Sequence, residues 1–113
     1  IYLQIADRIC DEILQGQYKE EERIPSVREY AATVEVNANT VVRSFDYLQG
    51  QDIIYNKRGL GYFVALEGRE RILELRKEVF LRDELPEFFR QLKTLDIPIK
   101  DVEKMYQDYL KED

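Results

Sequence analysis

The chain has no histidine, no tryptophan, one cysteine, one methionine and three prolines among its 113 residues. Without histidine, triads and dyads built on imidazole are excluded, as is any zinc set drawn from Cys and His. Cys10 has no second thiol with which to close an internal disulfide, and its place on an apolar helix edge makes it a small buried hydrophobe. An Asp-rich loop with calcium spacing, a Gly-rich phosphate loop and a nucleophile beside a base are all missing. These gaps leave an enzyme as the weakest reading and imply no cofactor. No apolar run approaches the roughly 18 residues of a membrane span, and no leader segment is visible, so the expected compartment is the cytoplasm.

What is there is 44% apolar and 35% charged, the balance of a folded, helix-rich chain. The length allows one sizeable core, or one small domain with an appendage. The net charge of -6 argues at first against a nucleic-acid partner, because phosphate binding leaves a basic footprint. Distribution changes that inference. From Val36 to Val64 three cations face two anions, while acids gather elsewhere, notably at Asp11, Glu12 and Glu20 to Glu22.

Ile1, Ile5, Ile9 and Ile13 repeat at helical spacing and stop before Gly16, a suitable residue for a left-handed turn. Lys19 to Arg23 has no apolar residue and reads as an exposed loop. Pro25 then allows a new start, and Ser26 with Glu29 three residues later forms a capping box for a second helix. Val27, Tyr30, Ala31 and Val34 form its inward face. Asn37 is a good N-cap for a third helix with Val41, Val42, Phe45 and Leu48 as its apolar positions. Ile53 to Tyr55 and Tyr62 to Ala65 flank Asn56-Lys57-Arg58-Gly59-Leu60-Gly61, which predicts a β-hairpin with a cationic, glycine-containing tip.

From Glu67 onward, apolar stripes at helical spacing recur: Ile72, Leu75, Val79 and Phe80; then Leu85, Phe88, Phe89, Leu92 and Leu95; then Val102, Met105, Tyr106, Tyr109 and Leu110. Pro86 and Pro98 can each sit in a first helical turn. Residues 67–113 are too few to close a core alone, so this surface is expected to bury against the first domain and a second copy. The aromatic set Phe88, Phe89, Tyr106 and Tyr109 fits a dimer surface better than a ligand pocket.

The order helix, helix, tight turn, helix, hairpin is that of a winged helix-turn-helix, an α+β, mainly α fold. A short C-terminal helical dimerisation arm follows it. Residues 1–66 form the DNA-binding domain in this reading and 67–113 the arm. In such a domain the third helix enters the major groove while the hairpin tip reaches the backbone or minor groove. Candidate contacts to double-stranded DNA are Ser26, Arg28, Asn37, Asn39, Thr40, Arg43, Lys57, Arg58, Gly59 and Gly61. Ser26 and Asn37 are helix caps first, whereas Asn39 and Thr40 lie past the cap and are freer to meet bases or phosphates. Gly59 and Gly61 serve the turn in any case.

Tyr2 with Gln4-Ile5-Ala6, Gly16, Ile24-Pro25-Ser26-Val27-Arg28-Glu29, Val36-Asn37-Ala38-Asn39-Thr40-Val41, Leu48 and Arg58-Gly59-Leu60-Gly61-Tyr62-Phe63-Val64 occur in one order. With these features the first 65 residues resemble the N-terminal DNA-binding domain of the GntR family of bacterial transcription regulators. The short helical remainder is similar to the YtrA-like subfamily. That resemblance implies a homodimeric repressor on an inverted-repeat operator, with genes of ATP-driven membrane transporters as a frequent target. An arm this short has little room for an effector pocket, so any effector is expected between subunits, or control runs through protein abundance.

Three departures from the family pattern stand out. Glu20-Glu21-Glu22 replaces the usual Pro-Gly, which predicts a more acidic and less sharply turned loop. Asp52 replaces a glycine before the first wing strand and can adopt the left-handed conformation at some cost. Ala38 and Val42 stand where many relatives carry a basic residue, leaving Arg43 as the cation of the third helix, for base or phosphate. The competing function is a winged-helix adapter that recruits a protein partner through its acidic surface without specific DNA binding.

Overall fold

A computed structural model describes residues 1–112, which divide into two compact units, Ile1–Leu75 and residues 76 onward. The first unit contains α1 (Tyr2–Leu14), α2 (Val27–Val34), α3 (Ala38–Gly50), the hairpin β1 (Ile54–Lys57) and β2 (Gly61–Val64), and the start of α4 (Gly68–Val79). The hairpin is antiparallel, with Ile54 opposite Val64 and Lys57 opposite Gly61. Ile5, Ala6, Ile9, Cys10 and Ile13 form the buried stripe of α1, at the spacing the sequence displays. They meet Tyr30 and Ala31 of α2 and Val41, Phe45 and Leu48 of α3. Ile53, Ile54 and Val64 carry the core into the hairpin, and Ile72 of α4 joins it beyond residue 66. Phe45, wholly buried, lies edge-on to Tyr62 of β2 at 4.9 Å between ring centroids and 6.4 Å from Tyr30, so one side chain ties α2, α3 and the wing together.

The turn between α2 and α3 has no glycine. Glu35 takes the left-handed conformation (φ 55°), and the Val36 N–H donates to the Ala31 carbonyl at 3.1 Å. Asp52 is left-handed as well (φ 63°), as its place before the first wing strand requires.

The acidic loop departs from the sequence expectation. Its side chains are largely exposed, but its backbone is not free: the Glu21 N–H donates to the Val64 carbonyl at 2.8 Å, and the Val64 N–H donates to the Glu22 carbonyl at 2.9 Å. Arg23 bridges Phe63, and the Ile24 N–H donates to Tyr62 at 2.9 Å, so this stretch runs along the open edge of β2. It is also sharply turned, with Glu21 left-handed (φ 68°) and the Glu22 N–H closing on the Lys19 carbonyl at 3.0 Å. Covering an unpaired strand edge satisfies backbone groups that composition alone cannot reveal.

The second unit contains the end of α4, a π-helical turn at Phe80–Glu84, α5 (Leu85–Thr94) and α6 (Ile99–Lys111). Pro86 follows the π turn directly at the start of α5, and the Leu85 N–H reaches the Phe80 carbonyl across that wider turn. None of the described residues of the π turn, α5 or α6 is fully buried; Phe89, Met105, Tyr106 and Tyr109 are at least half exposed. No helix among the described residues is long and apolar enough to cross a membrane.

Candidate nucleic-acid interface

The start of α2 is the most tightly specified element of the site. Ser26 Oγ accepts from the Glu29 N–H at 3.1 Å, and Glu29 Oε1 accepts from the Ser26 N–H at 2.9 Å. The backbone N–H of Ser26 holds the Glu29 carboxyl below its ordinary value, with the Ser26 hydroxyl second. The box is therefore intact above the usual carboxylate range and lost as pH falls through the lowered value. Ser26→Ala is expected to destabilise the fold by about 1 kcal/mol, read from a denaturant midpoint. A midpoint equal to wild type would show that the cap contributes nothing. Arg28, in this same turn, is exposed and has no ion pair among the described residues.

The wing tip is a hydrogen-bonded turn, with the Leu60 N–H donating to the Lys57 carbonyl at 2.8 Å. Gly59 occupies its third position at φ 80°, a conformation that costs a side-chain-bearing residue about 1 kcal/mol or more. Gly61 has φ 107°, and a Cβ there would stand 2.9 Å from Arg23 Nε. Arg58 is exposed and has no ion pair among the described residues, and Lys57 Nζ lies 5.4 Å from the centroid of the Phe63 ring.

The left-handed φ of Gly61 disfavours a side chain there, and Arg23 is its nearest neighbour. The Arg23 Nε donates to the Leu60 carbonyl at 3.0 Å, and its Nη2 lies 3.7 Å from Glu29 Oε1. One guanidinium thus touches both the wing tip and the first turn of α2. Sequence reasoning missed Arg23 because it tracked cations in the predicted helix and hairpin. Its position as the one cation closing the Glu20–Glu22 run was the available signal.

At the head of α3, Asn37 Oδ1 accepts from the Asn39 N–H at 2.7 Å, which commits that side chain to capping. Asn39 is exposed and Thr40 is partly buried. Arg43 is exposed, with its guanidinium carbon 4.3 Å from the centroid of the Tyr2 ring on α1. The buried Ser44 hydroxyl donates to the Tyr2 carbonyl at 2.7 Å, anchoring the first turn of α1 against α3. The structure therefore links the wing tip to Glu29 of the capping box through Arg23, and lays the exposed Arg43 guanidinium over Tyr2.

Residues 1–64 match the model of bacterial regulatory proteins of the gntR family. The chain belongs to that family. It is 37% identical over 97 residues to the HTH-type transcriptional regulator YhcF of Bacillus subtilis (strain 168), covering 86% of this chain and 78% of YhcF. The HTH-type transcriptional repressor YtrA of the same organism is 32% identical over 74 residues, covering 66% of this chain and 57% of YtrA. Among solved structures, a putative GntR-family transcriptional regulator from Bacteroides thetaiotaomicron shares 62% identity and superposes with a TM-score of 0.88 over 98% of this chain and 96% of that one. The DNA-binding domain of AraR in complex with operator ORR3 shares 30% identity with a TM-score of 0.54, covering 57% of this chain and 77% of that one. This GntR chain is a YtrA-like, non-enzymatic transcription regulator with a winged helix-turn-helix DNA-binding domain.

Proposed function

We propose that this regulator is a repressor acting in the cytoplasm as a homodimer on an inverted-repeat operator, with α3 in the major groove and the wing on the adjacent backbone or minor groove. Arg28 and Arg58 serve as phosphate anchors, Lys57 supports the wing, and Ser26, Asn39 and Thr40 add polar contacts. The observation that supports this reading is the pair of exposed arginines, Arg28 on the first turn of α2 and Arg58 at the wing tip, with no ion pair among the described residues despite the net negative charge. Dimerisation is assigned to α5 and α6, whose exposed aromatic and aliphatic side chains lack a core of their own. Repression follows the likeness to YtrA, and that resemblance also suggests genes of an ATP-driven transporter as the target. No effector is assigned.

Gel-shift titration on the promoter of the protein's own operon, at several salt concentrations, tests the reading. A dimer meeting ~6 phosphates gives a log-log slope near -5 and protects two half-sites about one helical turn apart. Salt-insensitive binding, or a stable protein heterocomplex with no DNA complex, would instead support an adapter.

A further inference from the structure

We infer that the exposed side of α3 reads adenine–thymine pairs, with the Asn39 amide on adenine and the methyl groups of Val42 and Ala38 against thymine. This rests on the DNA-binding reading above and specifies the bases that site recognises. Ala38, Asn39 and Val42 stand at i, i+1 and i+4, neighbouring positions on the first turns of the helix. All three are exposed, Val42 by 40%, and the Asn39 amide has no hydrogen bond among the described residues. An exposed β-branched residue adds nothing to helix propensity, so the fold itself gives Val42 no structural task.

The chemistry near these residues is equally specific. Guanine presents N7 and O6, two acceptors that call for a guanidinium or ammonium donor. Arg43, the cation of α3, is exposed with its guanidinium over the Tyr2 ring of α1, and the Asn37 carbonyl oxygen is committed to the Asn39 N–H. Ala38, Asn39 and Val42 themselves offer an amide, with a donor NH2 and an acceptor oxygen, and two apolar side chains. The amide matches adenine N7 and N6–H2, while the thymine C5 methyl lies on the same major-groove edge and takes apolar contact. The uncompensated cations Arg28 and Arg58 favour a polyanionic duplex over a protein surface as the occupant.

The test uses the full chain and random double-stranded DNA pools synthesised with either thymine or uracil, which lacks the methyl. Selection from the thymine pool should enrich inverted half-sites with adenine–thymine pairs where α3 lies. Replacing those thymines by uracil should weaken binding roughly three- to fivefold per contacted methyl. Val42→Ala should lose most of the thymine preference at the base Val42 meets, retain that at the base Ala38 meets, and keep the wild-type circular dichroism spectrum, because the side chain is exposed. Half-sites with guanine–cytosine pairs at these positions, or equal wild-type affinity for the uracil duplex, would overturn the inference and leave the regulator reading standing. Failure to enrich any sequence would overturn both.

Discussion

A double Arg28→Ala, Arg58→Ala variant is expected to melt with the wild type and to lose on the order of a thousandfold in operator affinity at ~0.15 M salt. Both side chains are exposed and have no ion pair among the described residues, so their removal disturbs no folded-state contact of that kind. Substitutions of this type change stability by about 0.5 kcal/mol or less. Their cost appears in binding. In the proposed homodimer two substitutions remove four cations, and the log-log salt slope should become shallower by about 3 to 4. The slope separates phosphate anchoring from base recognition, since loss of a neutral base contact lowers affinity without changing it. A wild-type slope in the double variant would remove both arginines from the interface.

Phe45→Ala is expected to be the most damaging single change to the DNA-binding unit, at about 3 to 5 kcal/mol. The ring is wholly buried and touches aromatic partners on α2 and on the wing. Its removal therefore opens a cavity where three elements meet. A domain of this size has roughly 4 to 11 kcal/mol of stability, so the variant should be partly unfolded at 37 °C. Its melting temperature should fall by about 15 to 30 °C, followed by circular dichroism. Phe45→Leu should lose less, because it keeps most of the buried volume. A melt within a few degrees of wild type for Phe45→Ala would mean that α2 and the wing are held by other contacts.

Most of the fold was legible because its signals are local. The Ser26 and Glu29 capping box, the Asn37 cap, the isoleucine repeat of α1 and the glycines of the wing tip each act within a few residues. The candidate site was legible in its residue types and only partly in its geometry. Arg28, Lys57 and Arg58 could be picked out as exposed cations on predicted elements. Arg43 is exposed as well, and its position over the Tyr2 ring, 41 residues earlier in the chain, is a contact no local pattern displays. The Glu20–Glu22 stretch reads as an acidic loop by composition, while its backbone closes the free edge of β2.

Sequence by itself determined the element order, the buried faces of α1 to α3, the helix caps and the cationic hairpin tip, because these follow from periodicity, capping chemistry and turn conformations that act over short spans. Tertiary structure decided which neighbours the cations meet. Arg23 meets the Leu60 carbonyl across 37 positions, and Arg43 is drawn onto Tyr2 by the packing of α3 on α1. Such contacts depend on where distant segments are brought in space, and no local pattern encodes a guanidinium's choice between a neighbouring ring, a turn carbonyl and a phosphate.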